Sequence, residues 1–391
     1  MYSIRHSKLN IGGDIMASIK KLKSGWQYRV SYKDKDGRYK TKSGNGFSTK
    51  KEAQLAASEI EARYSKGYSL KEGEKLFNEY FRNWFEVYRK GKLSQDNDGD
   101  IRRAVDFSER YFPDTKLKEL TRQEYQKALN DYGETHATAS VKKHHTYMRA
   151  ALKDALEEGI IHRDPTYRVQ AIGKKNPKHE ELKYLNYQES IHLVHEILEG
   201  IKPTYTSRFI ILFGIATGCR FSEIIGMTWD CIDFKNKTVK VNKTWDYKYT
   251  NTFSNTKNYQ SKRIITIDDD TLDLLKKLQL HQKEYYLKSG LRNENNLVFL
   301  NDNMELISNT AVNKVLRKFC RKIGTKELTC HGLRHTHASI MLYKGINIKY
   351  VSRRLGHKDI VTTLQTYQHI LDEMEQKESN AVNEVMKQMY V

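Results

Sequence analysis

The chain has 391 residues, more than one small domain usually holds, so we expect two or three domains. Lysine and arginine number 68 against 48 aspartate and glutamate, and the formal charge of +20 favours a polyanionic partner, above all nucleic acid. No stretch approaches the roughly 18 consecutive apolar residues of a membrane span, and the start lacks the apolar core of a signal peptide. These features exclude a membrane-spanning protein and predict a cytoplasmic one.

Residues 1–15 are expected to be a disordered leader. Gly12, Gly13 and Asp14 precede Met16, and the codons of such residues can spell a purine-rich ribosome-binding sequence before a start codon. We therefore hypothesise that translation begins at Met16 in the cell. Mass spectrometry of the native protein would contradict this by finding an intact Met1.

Residues 16–66 carry 13 lysines and arginines against five acidic residues and predict a small basic domain. Alternation of large and polar residues over 26–32 indicates a strand, a turn leads to a second strand over 38–42, and a short third strand follows. Ser48 and Thr49 cap a predicted helix over 50–65. Because a sheet can enter the major groove, we expect DNA binding rather than a merely charged accessory domain. The candidate contacts are Arg29, Arg38, Lys40 and Lys42.

Residues 70–168 predict an all-helical domain, with helices over about 76–88, 98–112, 121–132 and 137–158. The first of these has an aromatic stripe at helical spacing, which is interpreted as core. Lys142 and Lys143 lie in a basic run on the fourth helix, where an exposed face and a phosphate-contacting face are equally open interpretations. A polar, basic linker over 171–183 follows, and its Lys174 and Lys175 are candidate contacts to a DNA backbone.

Residues 184–371 predict an α-rich α+β domain that is long enough for a substantial core. A strongly apolar helix over 207–217 ends at Gly218, and a short helix over 221–227 follows. Strands are predicted over 238–241 and 263–267, and helices over 271–289, 309–323, 332–343 and 348–355. The tail over 372–391 has the pattern of an amphipathic helix with no obvious core of its own.

Polar residues suited to a phosphate lie in this third region. Arg220 comes just after Gly218, and Arg334 comes three residues after His331 near a predicted helix start. Guanidinium groups make bidentate contacts with phosphate oxygens and stay charged at any working pH. Two such arginines can therefore clamp one phosphate and stabilise the negative charge that develops as a phosphodiester is cleaved.

A tyrosine hydroxyl is the predicted nucleophile, Tyr367, which follows ten residues after His357. A phenol has a reference pKa of about 10 and needs a base at neutral pH, for which His331 is the candidate. Lys257, which precedes a predicted strand, is the candidate proton donor to the leaving sugar oxygen. Rejoining is the reverse attack on the phosphotyrosine, so the reaction conserves bond energy and needs no cofactor.

The ordered set of these residues resembles the tyrosine recombinase, or phage integrase, family. The matching strings are ATGCRFSE, a lysine before a strand, HGLRHTHAS, LGHKDI and TTLQTYQHI. The resemblance covers residues 184–371 closely. More loosely, residues 16–66 resemble the arm-type binding domain of integrases from mobile elements of Gram-positive bacteria, and residues 70–168 resemble the helical core-binding domain of the family.

The resemblance implies a role for each matching residue. Arg220 and Arg334 would bind the scissile phosphate, His357 would hydrogen-bond to it, and Tyr367 would carry a 3′-phosphotyrosine link. Lys257 would be the general acid to the 5′ oxygen, and His331 would assist proton transfer. Glu223 would orient Arg220. No metal is implied.

The resemblance also implies partners. These are double-stranded DNA with core-type and arm-type sites, a homo-tetramer bridged by DNA in which the C-terminal segment packs on a neighbouring subunit, and accessory excisionase and host DNA-bending proteins. A nucleoid-associated location in a bacterial host would follow from the DNA substrate.

Other interpretations stay open beside this one. A type IB topoisomerase would use the same chemistry without an arm-binding domain, and a non-catalytic DNA-binding regulator would use an old integrase scaffold. His331 and His335, four residues apart, also suggest a metal site, but Arg334 would repel a cation and no carboxylate lies at the usual offset. His335 and His337 are therefore expected to pack or to hydrogen-bond.

The four cysteines form no CxxC pair and are expected to be reduced thiols: Cys219, Cys231, Cys320 and Cys330. The tyrosines at 343 and 350 are expected in the core.

Overall fold

The computed structural model of the protein describes residues 9–10, 16–33, 38–65, 73–176, 183–256 and 259–368. The chain divides into two compact units, Met1–Pro177 and Lys178–Val391. Lys257, the predicted C-terminal helix over 372–391 and most of the predicted leader lie outside the described residues, so those predictions remain predictions. Within the described ranges, no helix is both long enough and apolar enough to cross a membrane.

The first unit begins with an antiparallel sheet whose strands follow chain order. Its strands are Leu9–Asn10, Met16–Leu22, Gly25–Lys33 and Tyr39–Phe47. The helix Lys50–Ser65 covers one face and buries Val30 and Ala57 in a small core. The predicted strands over 26–32 and 38–42 and the helix are confirmed. The predicted short third strand is wrong, because residues 43–47 continue the strand Tyr39–Phe47, and the strand Met16–Leu22 was not predicted. The two-residue edge strand lies in the segment predicted to be disordered, and it is too short to carry a periodicity that a sequence can reveal.

The strand register separates the basic residues predicted to bind DNA onto two faces. Directly paired residues of an antiparallel sheet share a face. Lys42 pairs with Val30, and Lys40 pairs with Tyr32. Both lysines therefore lie on the helix-covered face, on the edge strand Tyr39–Phe47. Arg29 has the opposite register and belongs to the open face. Arg38 lies just before the last strand and is exposed.

The rest of the first unit is helical, as predicted. Its helices are Phe77–Trp84, which continues as the π-helical turn Phe85–Arg89, then Gln95–Tyr111, Arg122–Thr135 and Thr138–Glu157. The aromatic stripe of the first helix is fully buried and forms the core of this region, as expected. Part of the predicted linker packs against these helices. Ala171 is buried, and the backbone at Gly173 approaches so closely that a Cβ there would lie 2.2 Å from the His136 carbonyl.

The second unit has a three-stranded antiparallel sheet beside a large helical core. The sheet consists of Ile232–Asp233, Thr238–Val241 and Arg263–Thr266, and a separate hairpin pairs Thr244–Asp246 with Thr252–Ser254. The longer helices are Tyr187–Leu198, Thr206–Thr217, Asp269–Ser289, Asn309–Lys322, Cys330–Tyr343 and Ile348–Leu355. A last helical segment runs over 360–368. The mixed fold class is confirmed, whereas the hairpin and the first of these helices were not predicted.

The helix Thr206–Thr217 is the centre of this core because it is apolar on nearly every side. It ends at Gly218, whose φ of +67° is the left-handed conformation that glycine adopts at little cost. A Cβ at this position would lie 2.7 Å from the His337 ring, so the close approach also requires glycine. The chain then turns into the short helix Phe221–Ile225, and this turn places Arg220.

Candidate active site

Arg220 is held by a buried carboxylate. Glu223 is 1% exposed, accepts a hydrogen bond from the Arg220 backbone N–H at 2.9 Å, and forms an ion pair with the Arg220 guanidinium at 2.9 Å. Burial by itself would raise the pKa of Glu223, but Arg263 and Arg220 lower it below its ordinary value. The carboxylate is therefore ionised and holds the Arg220 guanidinium in a hydrogen-bonded ion pair.

A second arginine, which the sequence did not single out, shares this carboxylate. The buried Arg263 lies at the start of a strand and donates to Glu223 at 3.0 and 3.3 Å. It also donates to the Arg354 carbonyl at 2.6 Å, in the helix that leads to His357. A Cβ on Gly356 would lie 3.0 Å from its guanidinium. Arg263 thus joins the strand after Lys257, the support of Arg220 and the segment that carries His357.

Arg334 has a guanidinium that only partly meets protein acceptors. It is 3% exposed and donates through Nη1 to the Gly218 carbonyl at 2.9 Å. Nη2 is buried and has no hydrogen-bond partner among the described residues. Burial and the charge of Arg220 lower the pKa of Arg334 to about 10, which leaves it protonated at neutral pH. A buried cation with an unused donor favours an anionic ligand.

The nucleophile candidate contacts a histidine other than the predicted one. Tyr367 is 1% exposed, and its hydroxyl lies 3.0 Å from Nδ1 of His335. Burial raises the pKa of Tyr367 above its ordinary value, and Arg334 opposes that shift. His331 makes no hydrogen bond to this phenol in the described part of the chain and instead meets the His335 ring edge to face, with 4.6 Å between centroids. The prediction that His331 receives the phenol proton is not supported by this geometry.

His357 faces the same group of cations. Its Nδ1 lies 2.7 Å from the hydroxyl of Thr363, which fixes the ring. Burial and the charges of Arg334 and Arg220 together lower the pKa of His357 to about 3. A neutral imidazole at this place can donate a hydrogen bond to a phosphate without adding charge.

The remaining predicted site residues are one that the structure does not describe and several that belong to the first unit. Lys257 lies outside the described residues, and the neighbouring Lys262 is exposed. In the first unit, Lys143 forms an ion pair with Asp100 at 2.7 Å and Lys174 forms one with Glu134 at 2.8 Å. The side chains of Lys142 and Lys175 are exposed. The prediction that Tyr343 and Tyr350 lie in the core is wrong, because both are about half exposed at the ends of their helices.

Two family models match separate regions of the chain. Residues 184–374 match the phage integrase family, and residues 18–64 match an arm DNA-binding domain. The chain therefore contains a phage integrase family domain and an arm DNA-binding domain. An integrase of Staphylococcus phage L54a is 24% identical over 67% of this chain and 78% of its own length. A XerC-like tyrosine recombinase of Caldanaerobacter subterraneus subsp. tengcongensis is 25% identical over 93% of this chain and 98% of its own length.

The fold of the chain also resembles that of a solved integrase. The Tn1549 transposon integrase in complex with transposon right-end DNA has a TM-score of 0.63 and 17% sequence identity, covering 77% of this chain and 99% of that one. Within the described ranges, no group of three or more His, Cys, Asp or Glu side chains is arranged to hold a metal ion. The four cysteines are buried and free of disulfides.

Two residues of the site were missed or underrated by sequence reasoning. Arg263 is the first residue of a four-residue strand, and an arginine there gives no signal of burial. His335 was expected only to pack or hydrogen-bond, because the spacing pattern assigns the catalytic role to His331. In an α-helix, residues four apart lie on the same side, so spacing does not decide which of the two imidazoles meets a partner from another helix.

Stability is expected to fall in acid because the buried His337 and the half-buried His357 are neutral. His337 donates from Nδ1 to the Ile215 carbonyl at 2.7 Å and accepts at Nε2 from Arg354 at 3.0 Å. Burial lowers the pKa of His337 to about 3, as it does for His357. Unfolding therefore takes up protons below about pH 6.5, the ordinary value for histidine, so stability falls as the pH falls from there toward 3.

Urea unfolding of the full chain between pH 7 and pH 4.5 measures this effect. A His337→Gln variant is expected to have a shallower dependence of unfolding free energy on pH than the native chain, whatever its stability at pH 7. The exposed His195 serves as the control, since His195→Asn should leave the slope unchanged. An equal slope in the native chain and His337→Gln would contradict the assignment.

Proposed function

We propose that this protein is a site-specific integrase that cleaves and rejoins DNA strands through a covalent bond to Tyr367. The observation that carries the proposal is the placement of a phenol near a group of side chains with excess positive charge. Arg220, Arg263 and Arg334 act on a single buried carboxylate, and Arg334 keeps one buried donor unused. Such a group of cations would suit one phosphodiester group next to the nucleophile.

The scissile phosphate would be clamped between Arg220 and Arg334. Charge builds on the non-bridging oxygens as the tyrosine oxygen attacks phosphorus, and prearranged cations stabilise this charge more than that of the ground state. Glu223 would orient the Arg220 guanidinium through their ion pair, and Arg263 would hold the Glu223 carboxylate in place. His357 would add a neutral hydrogen bond to the same phosphate.

Cleavage would produce a 3′-phosphotyrosine and a free 5′ hydroxyl. Lys257 is the proposed donor of the proton to that 5′ oxygen, on the strength of its position in the family pattern. The phosphotyrosine stores the energy of the broken bond, so attack by a 5′ hydroxyl rejoins a strand without ATP. The amino acids of the site account for each step, and the proposal includes no cofactor and no metal.

The first unit would bind DNA independently of the catalytic chemistry. The open face of its sheet carries Arg29 and polar partners in the same register, which suits entry into the major groove of an arm-type site. Lys40 and Lys42 would contact the flanking backbone, as Arg38 would from the strand end. The exposed Lys142 and Lys175 are proposed contacts to a core-type site, whereas Lys143 and Lys174 would first have to leave their ion pairs.

The two faces of the sheet give a test with a matched control. Arg29→Ala should relax the preference of the full chain for arm-type DNA over random DNA, because a residue on the open face reads base edges. Lys42→Ala should weaken both complexes alike and lower the salt dependence of binding by about one counterion, because it meets only phosphate. Affinities at several salt concentrations measure both effects. Equal effects of the two variants on the preference would contradict entry by the open face.

The biological reaction would be integration and excision of a mobile genetic element. The arm DNA-binding domain and the similarity to an integrase of a Staphylococcus phage support this context. A DNA-bridged tetramer with contacts from residues 372–391, assisted by excisionase and host DNA-bending proteins, is the assembly we propose. It would act on the bacterial chromosome, in the cytoplasm.

A suicide DNA substrate tests the proposal against its alternatives. The native chain is expected to become covalently linked to a core-type substrate from which the cleaved end is lost. Binding without linkage would favour a non-catalytic regulator. Linkage and relaxation of any supercoiled plasmid, with no footprint on the element's ends, would favour a type IB topoisomerase. Two separate footprints on those ends would support arm-type and core-type binding together.

A further inference from the structure

We propose that His335 accepts the proton of Tyr367 as the tyrosine attacks the scissile phosphate. This inference rests on the proposed recombinase function and assigns to His335 a step for which the sequence pattern favours His331. The carrying observation is the 3.0 Å contact between His335 Nδ1 and the Tyr367 hydroxyl.

The surroundings of Tyr367 make a protein base necessary. The phenol is 1% exposed, so bulk water does not reach its oxygen to remove the proton. Burial also disfavours the phenolate, which means that spontaneous ionisation before attack is rare. A general base must lie within about 2.6–3.2 Å of the group that it deprotonates, and the His335 contact meets this requirement in the described structure.

His331 is placed to act on His335 rather than on the tyrosine. The two imidazoles lie one helical turn apart on the helix Cys330–Tyr343 and meet edge to face. The positive charges that bear on His331 are those of Arg334 and Arg220, the two proposed phosphate ligands. We therefore assign His331 to the phosphate side of the pocket, where it also restrains the ring of His335.

The step balances without any further reactant. The Tyr367 oxygen forms a bond to phosphorus as its proton moves to Nδ1 of His335, and the bond from phosphorus to the 5′ oxygen breaks. That oxygen takes a proton from the proposed general acid, Lys257. In the rejoining step, the 5′ oxygen attacks the phosphotyrosine as its proton returns to the now neutral Lys257. The bond from phosphorus to the Tyr367 oxygen breaks, and His335 returns its proton to the departing phenolate.

The test is single-turnover cleavage of a suicide DNA substrate by the full chain, with a normal 5′ oxygen or a bridging sulfur in its place. His335→Asn retains a polar atom near the position of Nδ1 but cannot take up a proton at neutral pH. We expect its cleavage rate to fall about 10²- to 10⁴-fold on both substrates. The sulfur substrate needs no general acid yet still needs a base, so it should not rescue the variant. DNA binding by His335→Asn should stay near that of the native chain. The surface control His195→Asn should keep both the native cleavage rate and the native DNA affinity.

A second variant keeps the inference testable if His335→Asn folds poorly. His335→Ala leaves a space at the phenol, and added imidazole is expected to restore part of its cleavage rate. Failure of imidazole to restore any activity to a DNA-binding His335→Ala protein would overturn the inference. It would also be overturned if His335→Asn cleaved within about threefold of the native rate, or if sulfur rescued it.

The outcomes separate this inference from the proposed function. A native chain that never forms a covalent adduct would contradict both the proposed function and the role of His335. A native chain that forms the adduct, together with a His335→Asn variant that forms it equally fast, would sink the inference alone. If the large loss appeared instead in His331→Asn, the base would be the residue that the sequence pattern favours.

Discussion

Tyr367→Phe should form no covalent adduct with a suicide substrate while binding the same DNA with nearly native affinity. The substitution removes only the phenol oxygen, the atom that would bond to phosphorus. The ring itself packs in a small core with Leu342, Val351 and Leu355, and phenylalanine can fill that space. Loss of the hydrogen bond to His335 should lower the free energy of unfolding by only about 1 kcal/mol. Denaturing gels of the protein–DNA mixture measure the adduct, and gel shifts measure binding.

The control for this variant is another tyrosine of the same region. Tyr350 lies on the helix Ile348–Leu355 and is about half exposed. Tyr350→Phe should form the adduct at the native rate, because this phenol lies outside the cationic pocket. An adduct in Tyr367→Phe, or its loss in Tyr350→Phe, would show that the nucleophile has been assigned wrongly.

Glu223→Ala should be the most destabilising single change in the site. It would leave the buried Arg263 without its carboxylate partner and Arg220 without its orienting contact. Breaking one side of a buried ion pair typically costs about 3–5 kcal/mol, because a buried charge is left uncompensated. Cleavage should also fall about 10²-fold in protein that remains folded, because the phosphate clamp loses its alignment. Urea unfolding and single-turnover cleavage measure the two effects.

A similar arrangement on the surface provides the control. Glu327 lies between Arg317 and Arg321, at 3.9 and 2.6 Å, but all three side chains are exposed. Glu327→Ala should cost much less stability than Glu223→Ala, because solvent screens exposed ion pairs. Equal costs for Glu223→Ala and Glu327→Ala would refute the special role of burial.

The pH dependence gives the same assignment a second readout. The pKa of Glu223 is lowered in the folded protein, so its ionised form stabilises the fold above about pH 4.3 and that contribution is lost as the pH falls below this value. Glu223→Gln cannot ionise. The stability difference between the native chain and Glu223→Gln should therefore narrow below pH 4.

Local signals made most elements predictable. The helices predicted over 50–65 and 348–355 match Lys50–Ser65 and Ile348–Leu355, because helical spacing and capping side chains mark their ends. The hairpin of Thr244–Asp246 and Thr252–Ser254 escaped prediction. Its strands have three residues each, too few for a repeating pattern, and they form only where their backbones pair.

The sequence by itself determined the candidate residues of the site and their order: two arginines, the histidines near them and a tyrosine toward the end of the chain. These follow from the chemistry of a phosphodiester and from spacing along the chain. Only the tertiary structure decided that Arg263 shares the carboxylate of Glu223, because that contact joins residues forty positions apart. It also decided that the phenol meets His335 rather than His331. One helical turn, about 5.4 Å, separates these imidazoles, and the packing of the segment that carries Tyr367 selects between them.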